Sequence, residues 1–217
     1  MARRSKWSIS WATKHYKGKW SRIISSTLKD IVRMVKKHAL PVNGTTSDSQ
    51  AVVINEVELG YLTQLAGWED FDRKADDALR AEGLSLPGDY RSSVRRGRTI
   101  VWRIAPDRAL IRSDTALGLQ SVIDLAVLDL SDARVCLTLE GPGASGLFSR
   151  VTAIDFADAA FPVGHFAQTA IHHVSVLIDR HGRDQFTVLI PTTFATSLIS
   201  FLADHLATEA ATAPANE

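Results

Sequence analysis

The sequence is poor in the residue types that covalent and metal chemistry most often need. Cys136 is its only cysteine, which excludes an internal disulfide framework and a zinc site built on several thiolates, and agrees with a reducing compartment. A cytoplasmic location is the default expectation. No apolar stretch approaches the roughly 20 residues that a helix needs to cross a bilayer, so no membrane span is expected. The seven histidines form no HExxH motif and no cluster with metal-ligand spacing, and no nucleophile, base and acid group as a triad. Hydrolase and metalloenzyme readings are set aside on those grounds.

What is present suffices for a core. With 217 residues, 45% apolar and 23% charged, the chain reads as globular, with one domain or two small ones. The formal net charge of +1 conceals an asymmetry. Residues 1–40 carry 11 Lys or Arg against Asp30 alone, a local +10, and the rest of the chain carries −9. In this arm Trp7, Trp11 and Trp20 precede an apolar stripe at Ile24, Leu28, Ile31 and Val35, with Lys29, Arg33, Lys36 and Lys37 on the other side, as in a basic amphipathic helix. Docking on an acidic partner surface suits it. A solvated extension is weighed at least equally, and a targeting leader, a membrane surface or nucleic acid is less favoured. The polar, turn-forming run 41–50 (PVNGTTSDSQ) reads as a linker, and the small, polar tail 208–217 as a flexible end.

From residue 51 the pattern is that of an α+β protein. An extended segment at 53–64 is followed by a helix over 68–82, in which Phe71, Ala75, Ala78 and Leu79 share a face and Gly83 ends it. Ile100, Trp102 and Ile104 alternate as a strand that returns after Pro106-Asp107 through 109–112. Val135, Leu137 and Leu139 share one face of a strand-rich segment at 127–140. A short helical face follows at Ala144, Leu147, Phe148 and Val151, started by Gly141-Pro142. Strands at 167–171, 174–179 and 186–190 suggest a meander, with a turn at 180–183. The last helix carries Phe194, Leu198, Phe201, Leu202 and His205 on one period, with Thr192 or Thr193 as its cap.

Three constellations invite a chemical reading. Residues 141–146 spell G-x-G-x-x-G between a strand and a helix, where backbone amides could cradle a pyrophosphate. The helix is too short and the following run too poor in strand character for a dinucleotide crossover, so a strand-to-helix turn is favoured. Asp129, Ser131, Asp132 and Arg134 place two carboxylates, a hydroxyl and a guanidinium together. An acid/base pair is one reading; a structural turn in which Arg134 pairs with an aspartate is the stronger. His172 and His173, adjacent in an expected strand, face opposite sides. His205 lies on an apolar helix face, and Cys136 reads as an inert small hydrophobe. No catalytic, cofactor-binding or metal-binding residue is assigned to this chain.

Five runs in order, GRTIVWRIAPDRALI (97–111), DLSDARV (129–135), LEGP (139–142), FPVG with AQT (161–164 and 167–169) and FATSL (194–198), resemble the gamma subunit of bacterial heterotetrameric sarcosine oxidase. That family is in turn similar to the folate-binding fold of the glycine cleavage T-protein. The resemblance implies two small ferredoxin-like strand/helix units within 51–207, about 51–125 and 126–207. It further implies a complex with alpha, beta and delta-type subunits. FAD, FMN, NAD and tetrahydrofolate belong to those partners, which oxidise an N-methyl amino acid and pass its one-carbon unit to folate. The gamma-type chain is implied to be non-catalytic, with no cofactor of its own. The arm is extra to the family pattern, and Pro191-Thr192-Thr193 stands where an arginine is expected. The alternative is a stand-alone folate-binding or one-carbon transfer protein anchored by Asp129 and Asp132.

Overall fold

A computed structural model of the chain describes residues 40–207. The basic arm, except Leu40, and the tail expected at 208–217 lie outside the described residues. In chain order the elements are strands β1 (Val42–Thr45), β2 (Ala51–Val57) and β3 (Tyr61–Gly67), helix α1 (Phe71–Ala81), then β4 (Ser93–Arg96), β5 (Thr99–Ala105), β6 (Arg108–Ser113), β7 (Leu125–Asp129) and β8 (Arg134–Glu140). Helix α2 (Ala144–Val151), strands β9 (Phe166–Ile171), β10 (Val174–Gly182) and β11 (Gln185–Pro191), and helix α3 (Ala195–Asp204) complete the fold. The class is α+β.

The strands form two antiparallel sheets, one of six in the order β1-β2-β8-β11-β10-β9 and one of five in the order β4-β5-β6-β3-β7. They pack face to face through Leu62, Ile100, Trp102 and Leu110 of one and Cys136, Phe166, Leu177 and Leu189 of the other. The opposite face of the five-stranded sheet is closed by α1, whose Phe71, Ala75 and Leu79 meet Leu65, Val101, Ala109 and Ile111. On the outer side of the six-stranded sheet, Phe148 of α2 lies edge-on to Phe186 of β11, with ring centroids 5.1 Å apart. Phe201 of α3 stacks on His172, beyond the end of β9. Central strands are therefore covered on both faces, and so read as nearly unbroken apolar runs such as Ile100-Val101-Trp102.

The sheets interleave along the chain, which corrects the expected division at residue 125. Strands β1 and β2 join the six-stranded sheet through β8, and β7 returns to the five-stranded sheet beside β3. The chain changes sheet at Gly60, whose φ is +71 and where a Cβ would lie 2.4 Å from the Ser113 carbonyl oxygen; only glycine fits. The extended segment at 53–64 is thus two strands in different sheets. The expected linker at 41–50 is a hairpin instead. Thr45 pairs with Ala51, and Thr46 N–H donates to the Gln50 carbonyl at 2.8 Å, because polar turn-forming residues serve an edge hairpin as well as a tether.

Two further expectations are overturned. His172 and His173 lie in a turn, not a strand. Ile171 pairs with Val174, and both histidines have positive φ, 46 and 68, the two-residue geometry whose twist matches antiparallel strands. Neither Thr192 nor Thr193 caps α3. The Ncap residue is Phe194, without a side-chain bond, and the Thr192 hydroxyl donates to the Asp132 carbonyl at 2.9 Å.

Candidate functional site

The VLDLSDARV run sits where the chain passes from β7 to β8. Asp129 Oδ1 accepts from the Ser131 N–H at 2.9 Å and from its hydroxyl at 2.5 Å, and Ser131 Oγ accepts from the Leu62 N–H at 3.1 Å. These bonds hold the Asp129 carboxyl below the usual range, the Ser131 hydroxyl being the first cause and its N–H the second. A carboxylate so engaged closes a turn rather than abstracting a proton. Arg134 departs from expectation: it makes no ion pair with either aspartate, and lines a cavity between the sheets.

The glycine-rich turn is explained by packing of the chain on itself. A Cβ on Gly141 would lie 2.4 Å from the Ala51 carbonyl oxygen, and one on Gly143 2.6 Å from that of Gln50. Gly146, the third motif position, has open space beside it. The amides that would cradle a phosphate are already used, Gly141 N–H on Asp184 O at 3.0 Å and Gly143 N–H on Ala51 O at 3.1 Å. Burial pushes the Cys136 thiol up to about 11, so it stays protonated and unreactive.

Sequence reasoning missed the charged residues that the fold buries. Asp179 is fully buried between the sheets, paired with Arg95 and accepting from Ser93 Oγ at 3.3 Å. Burial raises its carboxyl above the ordinary range, against the pull of Arg95. His181, two residues on and half-buried, is lowered chiefly by burial and then by Arg95. Arg180, 2% exposed, donates to the carbonyls of Phe161 at 2.7 Å and Arg183 at 2.5 Å and to Asp158 at 2.6 Å, with Phe186 beneath it. The expected turn at 180–183 hid Arg180 and His181, which lie in β10, and Asp179 stood at the end of the expected strand 174–179. The one available signal was charge following directly on the apolar run VSVLI.

Where the sheets part, near the ends of β9 and β10, they leave a cavity of about 300 Å³. Leu110, Leu177 and Leu189 form its apolar floor, and Gln64, Arg134 and Ser175 supply polar groups. Gln168 Nε2 donates to the Ile104 carbonyl at 2.7 Å. This clasp between β9 and β5 separates the cavity from a second of about 490 Å³ around Tyr90 and Phe161. Among the described residues no group of three or more metal-ligating side chains comes together, and no helix is long and apolar enough to cross a membrane.

The comparisons with known proteins bear on this arrangement. No protein-family model matches the chain. The sarcosine oxidase gamma subunit of Corynebacterium sp. strain U-96 is 27% identical over 136 residues, 58% of this chain and 65% of that protein. The match thus spans a little under two thirds of that relative. The gamma subunit from Arthrobacter sp. is 26% identical over 194 residues, 85% of this chain and 93% of that protein. The chain is thus similar to sarcosine oxidase gamma subunits. The solved heterotetrameric sarcosine oxidase from Corynebacterium sp. U-96 contains a chain with the same fold, at TM-score 0.65 and 24% identity, covering 77% of this chain and 91% of that one. The aminomethyltransferase T of the Bartonella henselae glycine cleavage system stands further off, at TM-score 0.45 and 19% identity.

Proposed function

We propose that the chain is a non-catalytic subunit of a heterotetrameric sarcosine oxidase-like complex. In this reading, alpha, beta and delta-type partners hold FAD, FMN, NAD and tetrahydrofolate, oxidatively demethylate an N-methyl amino acid and pass the one-carbon unit to folate. The observation that carries it is the similarity to gamma subunits over 194 residues. The state of the polar constellations supports it: Asp129, Ser131, the 141–146 turn and Cys136 are all engaged in holding the fold. Exposed Trp68 and Ile123, at 77% and 84%, supply apolar area of the kind protein interfaces cover. The arm, at +10, docks on an acidic partner surface, and the complex is cytoplasmic.

Co-expression with the three partner-type chains, followed by size exclusion, tests the reading. The expected outcome is one co-eluting assembly in which this chain buries at least about 2,000 Å². A monodisperse monomer that never joins the flavin-bearing chains sinks it. The alternative, a stand-alone folate protein anchored on Asp129 and Asp132, is less well supported because the Asp129 carboxylate is committed to Ser131.

A further inference from the structure

We propose that the cavity between the sheets is a binding site for a small carboxylate carried on an uncharged, apolar body. Arg134 is the first residue of β8 and stands two positions before Cys136, so both project toward the space between the sheets. It is half-buried, lines the cavity, and makes no ion pair or side-chain hydrogen bond among the described residues. A guanidinium has five donors and no acceptor, and here no side-chain hydrogen bond occupies any of them, so all five are open to a ligand. Its partial burial presses its pKa downward. The planar fork is shaped to take a carboxylate through two parallel bonds.

The rest of the lining selects the body of the ligand. Leu110, Leu177 and Leu189 offer an apolar floor, and the volume of about 300 Å³ lies at the lower end of small-ligand sites. No aspartate or glutamate lines the cavity. An amino acid would leave its ammonium without a counter-charge near a guanidinium, so the site prefers acids without an amine. The inference does not depend on the chain being an oxidase subunit.

Isothermal titration of the full chain with benzoate, benzamide and benzylamine tests it. Benzoate is expected to bind with a Kd of about 1 mM or tighter, benzamide at least about tenfold more weakly, and benzylamine not at all. Arg134→Met is expected to weaken benzoate at least about tenfold without moving the thermal midpoint, because the side chain has no partner to lose. Ala170→Trp, at an exposed lining position in β9, is expected to block benzoate with Arg134 still in place. Absence of benzoate binding at about 10 mM, equal binding of benzoate and benzamide, or unweakened binding by either variant overturns the proposal.

Discussion

Asp179 and Arg180 are consecutive in β10 and both buried, at 0% and 2% exposure, but they serve opposite faces of the six-stranded sheet. The Asp179 carboxylate meets Arg95 and Ser93 of the facing sheet. The Arg180 guanidinium gathers the carbonyls of Phe156, Phe161 and Arg183 on the outer side. The alternation of a strand turns one dipeptide into two anchors, one for the sheet-on-sheet contact and one for the loop that precedes β9.

Removing Arg95 strands the Asp179 charge in the sheet-on-sheet interface without its cationic partner, leaving it the Ser93 hydroxyl, Trp102 and His181. Arg95→Met is expected to cost about 2–3 kcal/mol, somewhat below the figure for a fully buried pair because Arg95 is 31% exposed. Adding Asp179→Leu should recover most of the loss. Urea denaturation of the single and double variants measures this, and a double variant less stable than the single would reject the assignment.

For Arg180 the donor geometry matters as well as the charge. Arg180→Lys keeps the charge but cannot span Asp158 on one side and the Phe161 carbonyl on the other. Both Arg180→Lys and Arg180→Met are therefore expected to destabilise by about 3 kcal/mol, with faster amide exchange in residues 152–165. Wild-type stability in the lysine variant would show that charge alone suffices.

Because burial lowers the pKa of His181, the folded state holds a neutral imidazole that the unfolded chain protonates near about 6.5. A depressed folded pKa contributes stability that is full above the unfolded value and is lost as pH falls through the folded one. Unfolding free energy is thus expected to drop between about pH 7 and 5. His181→Gln should flatten that slope, and denaturation series at several pH values compare the two proteins directly. Identical slopes would remove His181 as the cause.

The first and third glycines of the 141–146 run are expected to respond with opposite signs. At Gly141, φ is +117 and a Cβ would meet the Ala51 carbonyl oxygen at 2.4 Å, so Gly141→Ala should cost about 2 kcal/mol or more. Gly146 is helical with open space beside it, so Gly146→Ala should stabilise by about 0.5–1 kcal/mol. Thermal midpoints read both. A destabilising Gly146→Ala would mean that the third glycine is needed after all, as a dinucleotide fold requires.

Much of the fold was legible where the signal was local. The faces of α1 and α2, the hairpin of β5 and β6 and the meander of β9 to β11 follow from spacing and turn residues that lie within a few positions of one another; on α3 Leu198 and Leu202 are buried as expected, but Phe194 is exposed and Ala195 and Ile199 join the buried side instead. Less of the site could be read. Asp129 and Ser131 closed a turn as their types and spacing indicated, but Arg134 turned to the cavity instead of the neighbouring aspartates, because its place on β8 aims it between the sheets.

Composition and local pattern by themselves determined an α+β chain with a core, a lone inert thiol, glycines at the β8-to-α2 turn, and runs that match a known family in order. Tertiary structure alone decided which sheet each strand joined, which charges were buried, and where a cavity opened. Backbone donors and acceptors are the same in every strand, so the pairing of β2 with β8, about 80 residues apart, is selected by long-range burial of both faces and not by any residue near either strand. Asp179, Arg180 and Arg134 acquire their surroundings only once that pairing has been made.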